Sequence, residues 1–229
     1  MGTSKYIILL LFILNLSCSN NNNKPTPSNE KKEKEYFLNL IDPRNTNLYF
    51  TNKVLETEEQ NYVTYESMYN GSGVAIGDIN NDGLPDIFLG GNSVFDKLYL
   101  NKGDLKFEDI SKNSGISGIH TGWTTGINMV DINSDGFLDI YVCRGGPLKN
   151  ESDRKNKLFI NNGDLTFKES AKEYGLDNTS HSIQTAFFDY DLDGDLDMYL
   201  MNQPPPSHHL KEIRYKKLRA DIQRGTLKT

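Results

Sequence analysis

Oxygen-bearing side chains recur at fixed positions in three nine-residue segments of this chain: DINNDGLPD (78–86), DINSDGFLD (131–139) and DYDLDGDLD (189–197). Positions 1, 3, 5 and 9 of each carry Asp or Asn, and position 6 is Gly. When alternate side chains of a tight loop point inward, their oxygens can surround a hard cation. Calcium takes roughly 6–8 oxygen ligands at about 2.3–2.6 Å. The first loop offers Asp78, Asn80, Asp82 and Asp86, with the carbonyl of Leu84 at position 7. The second offers Asp131, Asn133, Asp135 and Asp139, with the carbonyl of Phe137. The third offers Asp189, Asp191, Asp193 and Asp197, with the carbonyl of Asp195. Gly83, Gly136 and Gly194 stand where the chain must turn sharply, and glycine reaches positive φ without a steric penalty. The loops contain no Cys or His, which argues against zinc and copper. The pattern predicts three Ca²⁺ sites.

Charge points the same way. The loops hold eleven of the 31 acidic residues. Without them the net charge of −6 would become +5, and three divalent ions would bring the chain to zero. Carboxylates packed this closely repel one another unless a cation neutralises them. Charge count also ranks the third loop as the tightest, because Asp191 stands where the others have Asn80 and Asn133. An EF-hand would need a bidentate Glu at position 12. Here that position is Leu89, Val142 and Leu200, within the strand-like runs DIFLGG, DIYVCRGG and DMYLMNQ.

The elements that position the loops repeat with them, at spacings of 53 and 58 residues. A small or apolar run precedes each loop: GSGVAIG (71–77), TTGINMV (124–130) and SIQTAFF (182–188). An apolar run that reads as a buried strand follows each. Twice a hairpin comes next, KLYLNKGDLKFEDIS (97–111) and KLFINNGDLTFKESA (157–171). Leu98, Leu100, Leu158 and Ile160 alternate with residues expected to face outward. NKGD and NNGD are glycine-containing turns, and Phe107 and Phe167 match on the return strands. Four short strands in about 50 residues describe a propeller blade. A further outer strand is expected near Leu48–Phe50. The predicted fold is all-β, with blades of four-stranded antiparallel sheet joined through calcium loops in an incomplete propeller.

The loops and the KLYLN and KLFIN hairpins resemble FG-GAP/VCBS repeats, the integrin-α-like β-propellers. The segments NYVTYESMYNGSGVAIGDINNDGLPDIF and AFFDYDLDGDLDMYLMN resemble the ASPIC/UnbV-associated surface lipoproteins of Bacteroidota-type bacteria. The resemblance covers about residues 45–203 and implies calcium in each loop. Asn80 and Asn133 depart from Asp at position 3 but keep an oxygen ligand. Pro85 stands where the other loops have Leu138 and Leu196, and removes a backbone donor. The third unit lacks a KLYxN hairpin. The chain therefore reads as the N-terminal piece of a longer protein, with a basic inter-blade segment at 204–229.

The N-terminus reads as an address. Lys5 and the apolar run Tyr6–Leu16 precede Ser17-Cys18. Eleven residues are too few to span a bilayer, which needs about 20, and suit a signal peptide over 1–17. Cys18 matches the acylated residue of a bacterial lipoprotein. Residues 18–36, SNNNNKPTPSNEKKEKE included, are polar and cannot form a core, so they read as a tether. Repeats then fill 37–203. The expected location is the bacterial cell envelope, as an outer-membrane or surface lipoprotein held by its lipid anchor. With Cys18 acylated, Cys143 has no intrachain partner and is expected to be a buried, inert thiol.

The expected function is binding, to an extracellular protein or a glycan, with calcium as a structural staple. No nucleophile–base pair or acid–base pair stands apart from the metal loops, so no catalytic residues are assigned. The alternative is a calcium-dependent propeller that degrades polysaccharides. RNA binding is weaker still: the basic 204–229 segment has little aromatic interleaving, and the whole chain is acidic. Acylation is tested by Cys18→Ala. The variant is expected to leave the membrane fraction for a soluble or unprocessed form, and equal membrane retention would refute lipidation.

Overall fold

The computed structural model describes residues 38–116 and 122–204. The described residues from Leu40 onward belong to one compact unit, which carries the fold. Cys18, the signal and tether segments and the basic 205–229 stretch lie outside the described residues.

Among the described residues, two four-stranded antiparallel sheets and one strand pair follow each other along the chain. The first sheet is β1 (Val74–Gly77), β2 (Asp86–Leu89), β3 (Lys97–Asn101) and β4 (Phe107–Asp109), in that spatial order. The second repeats it with β5 (Thr124–Val130), β6 (Asp139–Arg144), β7 (Lys157–Asn161) and β8 (Phe167–Glu169). The third contributes β9 (His181–Phe188) and β10 (Asp197–Gln203). Each acidic loop joins the first two strands of its sheet. Gly77 pairs with Asp86, Val130 with Asp139 and Phe188 with Asp197, so each loop opens and closes on one rung. These are propeller blades, the third described through its first two strands.

The core lies between blades. Ala75, Phe88 and Leu98 of the first pack against Ile127, Ile140 and Val142 of the second. On the other side of β6, Tyr141 and Cys143 join Leu158 and meet Phe187, Met198 and Leu200 of the third. Both faces of β6 are covered, which is why DIYVC reads as an unbroken apolar run. Burying a large apolar side chain contributes roughly 1.5–3 kcal/mol. Flanks without a neighbour stay open: Val74 is 57% exposed, whereas Ile127, its counterpart, is 3% exposed. β10 likewise exposes Tyr199 and Met201 and is less buried than the sequence pattern suggests.

The hairpin strands depart from simple alternation. Tyr99 and Phe159 are buried along with their neighbours Leu98 and Leu158. Phe159 packs into the inter-blade core, and the Tyr99 hydroxyl donates to the carbonyl of Tyr49 at 2.5 Å. The 48–50 segment therefore lies against Tyr99 but forms no strand, contrary to the expectation. It follows a short helix, α1 (Pro43–Thr46), capped by the Asp42 side chain.

Blade-to-blade register is set by matched polar bonds. Ser72 Oγ donates to the carbonyl of Thr124, and Thr125 Oγ1 donates to the carbonyl of Ser182, each at 2.8 Å. Ser72 and Thr125 lie six residues before their loops, and Thr124 and Ser182 seven before theirs. One position further on, Gly73 and Gly126 face the next blade. A Cβ on Gly126 would lie 2.4 Å from the carbonyl oxygen of Ile183. Backbone cannot swing aside as a side chain can, so Gly126→Ala is expected to destabilise the chain by about 1–3 kcal/mol. Urea unfolding measures this, and an unchanged midpoint would show that the blades can separate freely here.

Candidate metal centres

The three loops share one hydrogen-bond scaffold, built from their own carboxylates. At position 1, Asp78 accepts from the N–H groups of Asp82 (3.1 Å) and Gly83 (2.7 Å). Asp131 accepts from Asp135 (3.0 Å) and Gly136 (2.9 Å), and Asp189 from Asp193 (3.2 Å) and Gly194 (3.1 Å). At position 5, Asp82, Asp135 and Asp193 accept from the N–H groups of Leu84, Phe137 and Asp195, at 2.8, 2.9 and 3.1 Å. These bonds fix the backbone of the position-7 residues, whose carbonyls are the expected ligands.

Position 9 reaches furthest. Asp86 Oδ2 accepts from Ile79 N–H at 3.0 Å and its Oδ1 from Asn101 N–H at 2.7 Å. Asp139 repeats this with Ile132 at 3.1 Å and Asn161 at 2.8 Å. Asp197 accepts from Tyr190 N–H at 2.9 Å. Asn101 and Asn161 then turn their own hairpins, accepting from Gly103 and Gly163 N–H at 3.0 and 2.9 Å. Burial pushes the Asp86 and Asp139 carboxyls above the ordinary range, while the backbone N–H bonds pull against it. Asp195 is raised chiefly by the neighbouring Asp193 charge.

Position 3 completes the set. Asn80 and Asn133 donate from Nδ2 to Asp82 and Asp135, at 2.9 and 2.8 Å. Asn80 Oδ1 is buried with no hydrogen-bond partner, an acceptor of the kind a bound cation would satisfy. In the third loop Asp189, Asp191 and Asp197 bring one carboxylate oxygen each within 4.8 Å of one another. Asp193 is not one of that trio. The donor set is all oxygen, which fits a hard cation.

The backbone carries a signal that sequence reading missed. Position 4 is left-handed in all three loops: Asn81 at φ 58°, Ser134 at 58° and Leu192 at 64°. Asn tolerates this region, whereas Leu pays for it. Gly83, Gly136 and Gly194 lie at φ 84°, 88° and 96°, as the turn requires. The first two loops also touch, Asn81 Nδ2 donating to the carbonyl of Gly136 at 2.9 Å. Asn161 Nδ2 adds a buried bond to the carbonyl of Ile79 at 2.8 Å.

Other residues fall outside the loops. Cys143 is fully buried, and burial pushes its thiol up to about 12, as expected of an inert core cysteine. His181 is buried with Nδ1 3.1 Å from the Gly146 carbonyl, while His120, His208 and His209 lie outside the described residues. Trp123 packs edge-on against Tyr65, with centroids 5.9 Å apart, in a small cluster with Met68.

Antiparallel blades whose first turn is an acidic loop define a repeat-propeller class. The FG-GAP-like repeat family matches residues 78–142 and 148–200, just over half of the chain, and the chain belongs to that family. It is similar to cartilage acidic protein 1 of Xenopus tropicalis, 29% identical over 137 residues, covering 58% of this chain and 20% of the relative. Integrin alpha-8 of Gallus gallus is 34% identical over 108 residues, covering 42% and 10%. Human cartilage acidic protein 1 is 27% identical over 137 residues, covering 58% and 19%. The chain thus spans a fifth or less of these relatives' lengths.

The buried position-9 carboxyl makes a pH prediction for the metal-free chain. Burial favours the protonated form, so Asp139 stabilises most below the ordinary carboxylate pKa. That stability is lost as pH rises through its own, higher pKa. In chelator, the wild type is expected to gain stability relative to Asp139→Asn as pH falls from neutral to the ordinary carboxylate pKa. Urea unfolding at both ends checks this, and a pH-independent difference would contradict it.

Proposed function

We propose that the chain is a calcium-binding, cell-surface propeller module that binds an extracellular protein or a glycan. Calcium is structural in this reading. Once bound, it neutralises the loop carboxylates and supplies the electrostatic closure of each turn. Asp78, Asn80, Asp82 and Asp86 hold it in the first loop, with their counterparts in the other two. The carbonyls of Leu84, Phe137 and Asp195 add a ligand each. The observation that carries the reading is the threefold repetition of one carboxylate scaffold, with the Asn80 Oδ1 acceptor buried and unpartnered in the first. Membership of the FG-GAP-like repeat family supports it.

Several carboxylates outside the loops are engaged with lysines: Asp109 with Lys97, Asp177 with Lys155, Glu169 with Lys157 and Glu173 with Lys168. That supports a binding role over acid–base catalysis. The reading includes a lipid on Cys18 and a bacterial envelope location, with a protein or glycan favoured over nucleic acid as the partner.

Metal removal tests it. Calcium at 100 times its dissociation constant stabilises by about 2.7 kcal/mol per site. For a chain of this size that is a rise in Tm of about 5–10 °C per occupied site. Melting with calcium and with chelator is expected to differ by at least that much. Identical melting curves would remove calcium from the function.

A further inference from the structure

The ends of β1, β5 and β9 away from the acidic loops converge on a pocket of about 200 Å³. Its wall includes Tyr65, Ser67, Asn70, Trp123, Thr125 and Gln203. We propose that this pocket binds the end unit of a neutral saccharide. The proposal rests on the binding-module reading above and gives it a ligand class and a place.

Charge is the first argument. Among the described residues, no Lys, Arg, His, Asp or Glu lines the pocket. An ionised ligand group would lose its water there without meeting a countercharge, which is costly. A wholly apolar group would strand the wall's polar atoms, also at a cost.

Those polar atoms are available. Gln203 Nε2 donates to Tyr65 Oη at 3.1 Å, which leaves the phenolic proton free to donate. Gln203 Oε1 and the side chains of Ser67 and Asn70 make no hydrogen bond to any described residue. Amides and hydroxyls each offer both donors and acceptors, and saccharide hydroxyls need both. Tyr65 and Trp123, both buried and packed edge-on, add the apolar atoms of their rings to the wall, which the C–H groups of a sugar can meet. Thr125 is not counted among the free groups, because its hydroxyl donates to the Ser182 carbonyl and so fixes the blade register beneath the pocket.

Size limits the ligand. Pockets that enclose a whole small molecule run from about 300 to 1,000 Å³. This one is smaller, so it takes one end unit, with the remainder of the glycan outside. Its place also separates binding from the metal loops, which lie at the other end of the same strands.

The test uses the full chain and its own reporter, since Trp123 is the only tryptophan. Calcium-loaded protein is titrated with the methyl glycosides of glucose, galactose, mannose and N-acetylglucosamine while its fluorescence is followed. At least one is expected to give a saturable change with Kd on the order of 1 mM. Asn70→Ala, which removes no internal side-chain hydrogen bond, is expected to weaken it about tenfold at unchanged Tm. Ser67→Ala is expected to act in the same direction. The proposal is overturned if no glycoside changes the fluorescence, or if both variants respond like the wild type. It is equally overturned if N-acetylated neutral dipeptide amides saturate the signal and the glycosides do not. None of these outcomes touches the chelator melting result, so this pocket can fail while the calcium-stabilised module stands.

Discussion

A buried carboxylate that accepts two backbone N–H groups holds each complete blade together. Asp86 and Asp139 stand at the first rung of the second strand. One oxygen closes the acidic loop behind them and the other takes the N–H at the end of the third strand. One side chain therefore fixes the loop, the pairing of three strands and the start of the hairpin turn. The arrangement carries a cost, because both carboxyls sit where charge is disfavoured. The backbone donors offset part of that cost. A divalent ion among the same carboxylates would offset more of it.

A second layer of order joins the blades. Hydroxyls of Ser72 and Thr125 reach the neighbouring innermost strand at equivalent carbonyls, so each blade reads the register of the next. Asn161 does the same nearer the loops, bonding both Leu138 in its own blade and Ile79 in the previous one. Apolar packing supplies most of the cohesion between blades but has no direction. These directional bonds select one stagger among those the packing would tolerate.

Much of this was legible in the sequence, because repetition separates rule from accident. The loops, the strand order and both hairpins follow from spacing and from the paired motifs around Phe107 and Phe167. What was not legible depends on neighbours. Tyr99 and Phe159 occupy outward positions by alternation, yet one is covered by the Tyr49 segment and the other by the adjoining blade. The 48–50 segment has strand-like residues but pairs with no strand among the described residues. Leu192 adopts a left-handed conformation that its residue type disfavours, because the loop around it dictates the turn. The pocket was hidden for a similar reason, since Tyr65, Trp123 and Gln203 are far apart in the chain and only the fold brings them together.

The glycines of the innermost strands make the blades unequal members of the array. The residue five before each loop is Gly73, Gly126 and then Gln184. Where another blade follows in the described chain, that residue is a glycine and the next strand abuts it, leaving no room for a Cβ. The third unit, with its Gln, cannot replace the second, although their acidic loops are interchangeable in form. Serial position is thus written into one backbone contact. Duplication and reshuffling of these units would be constrained there long before it was constrained at the acidic-loop motif that makes them look alike.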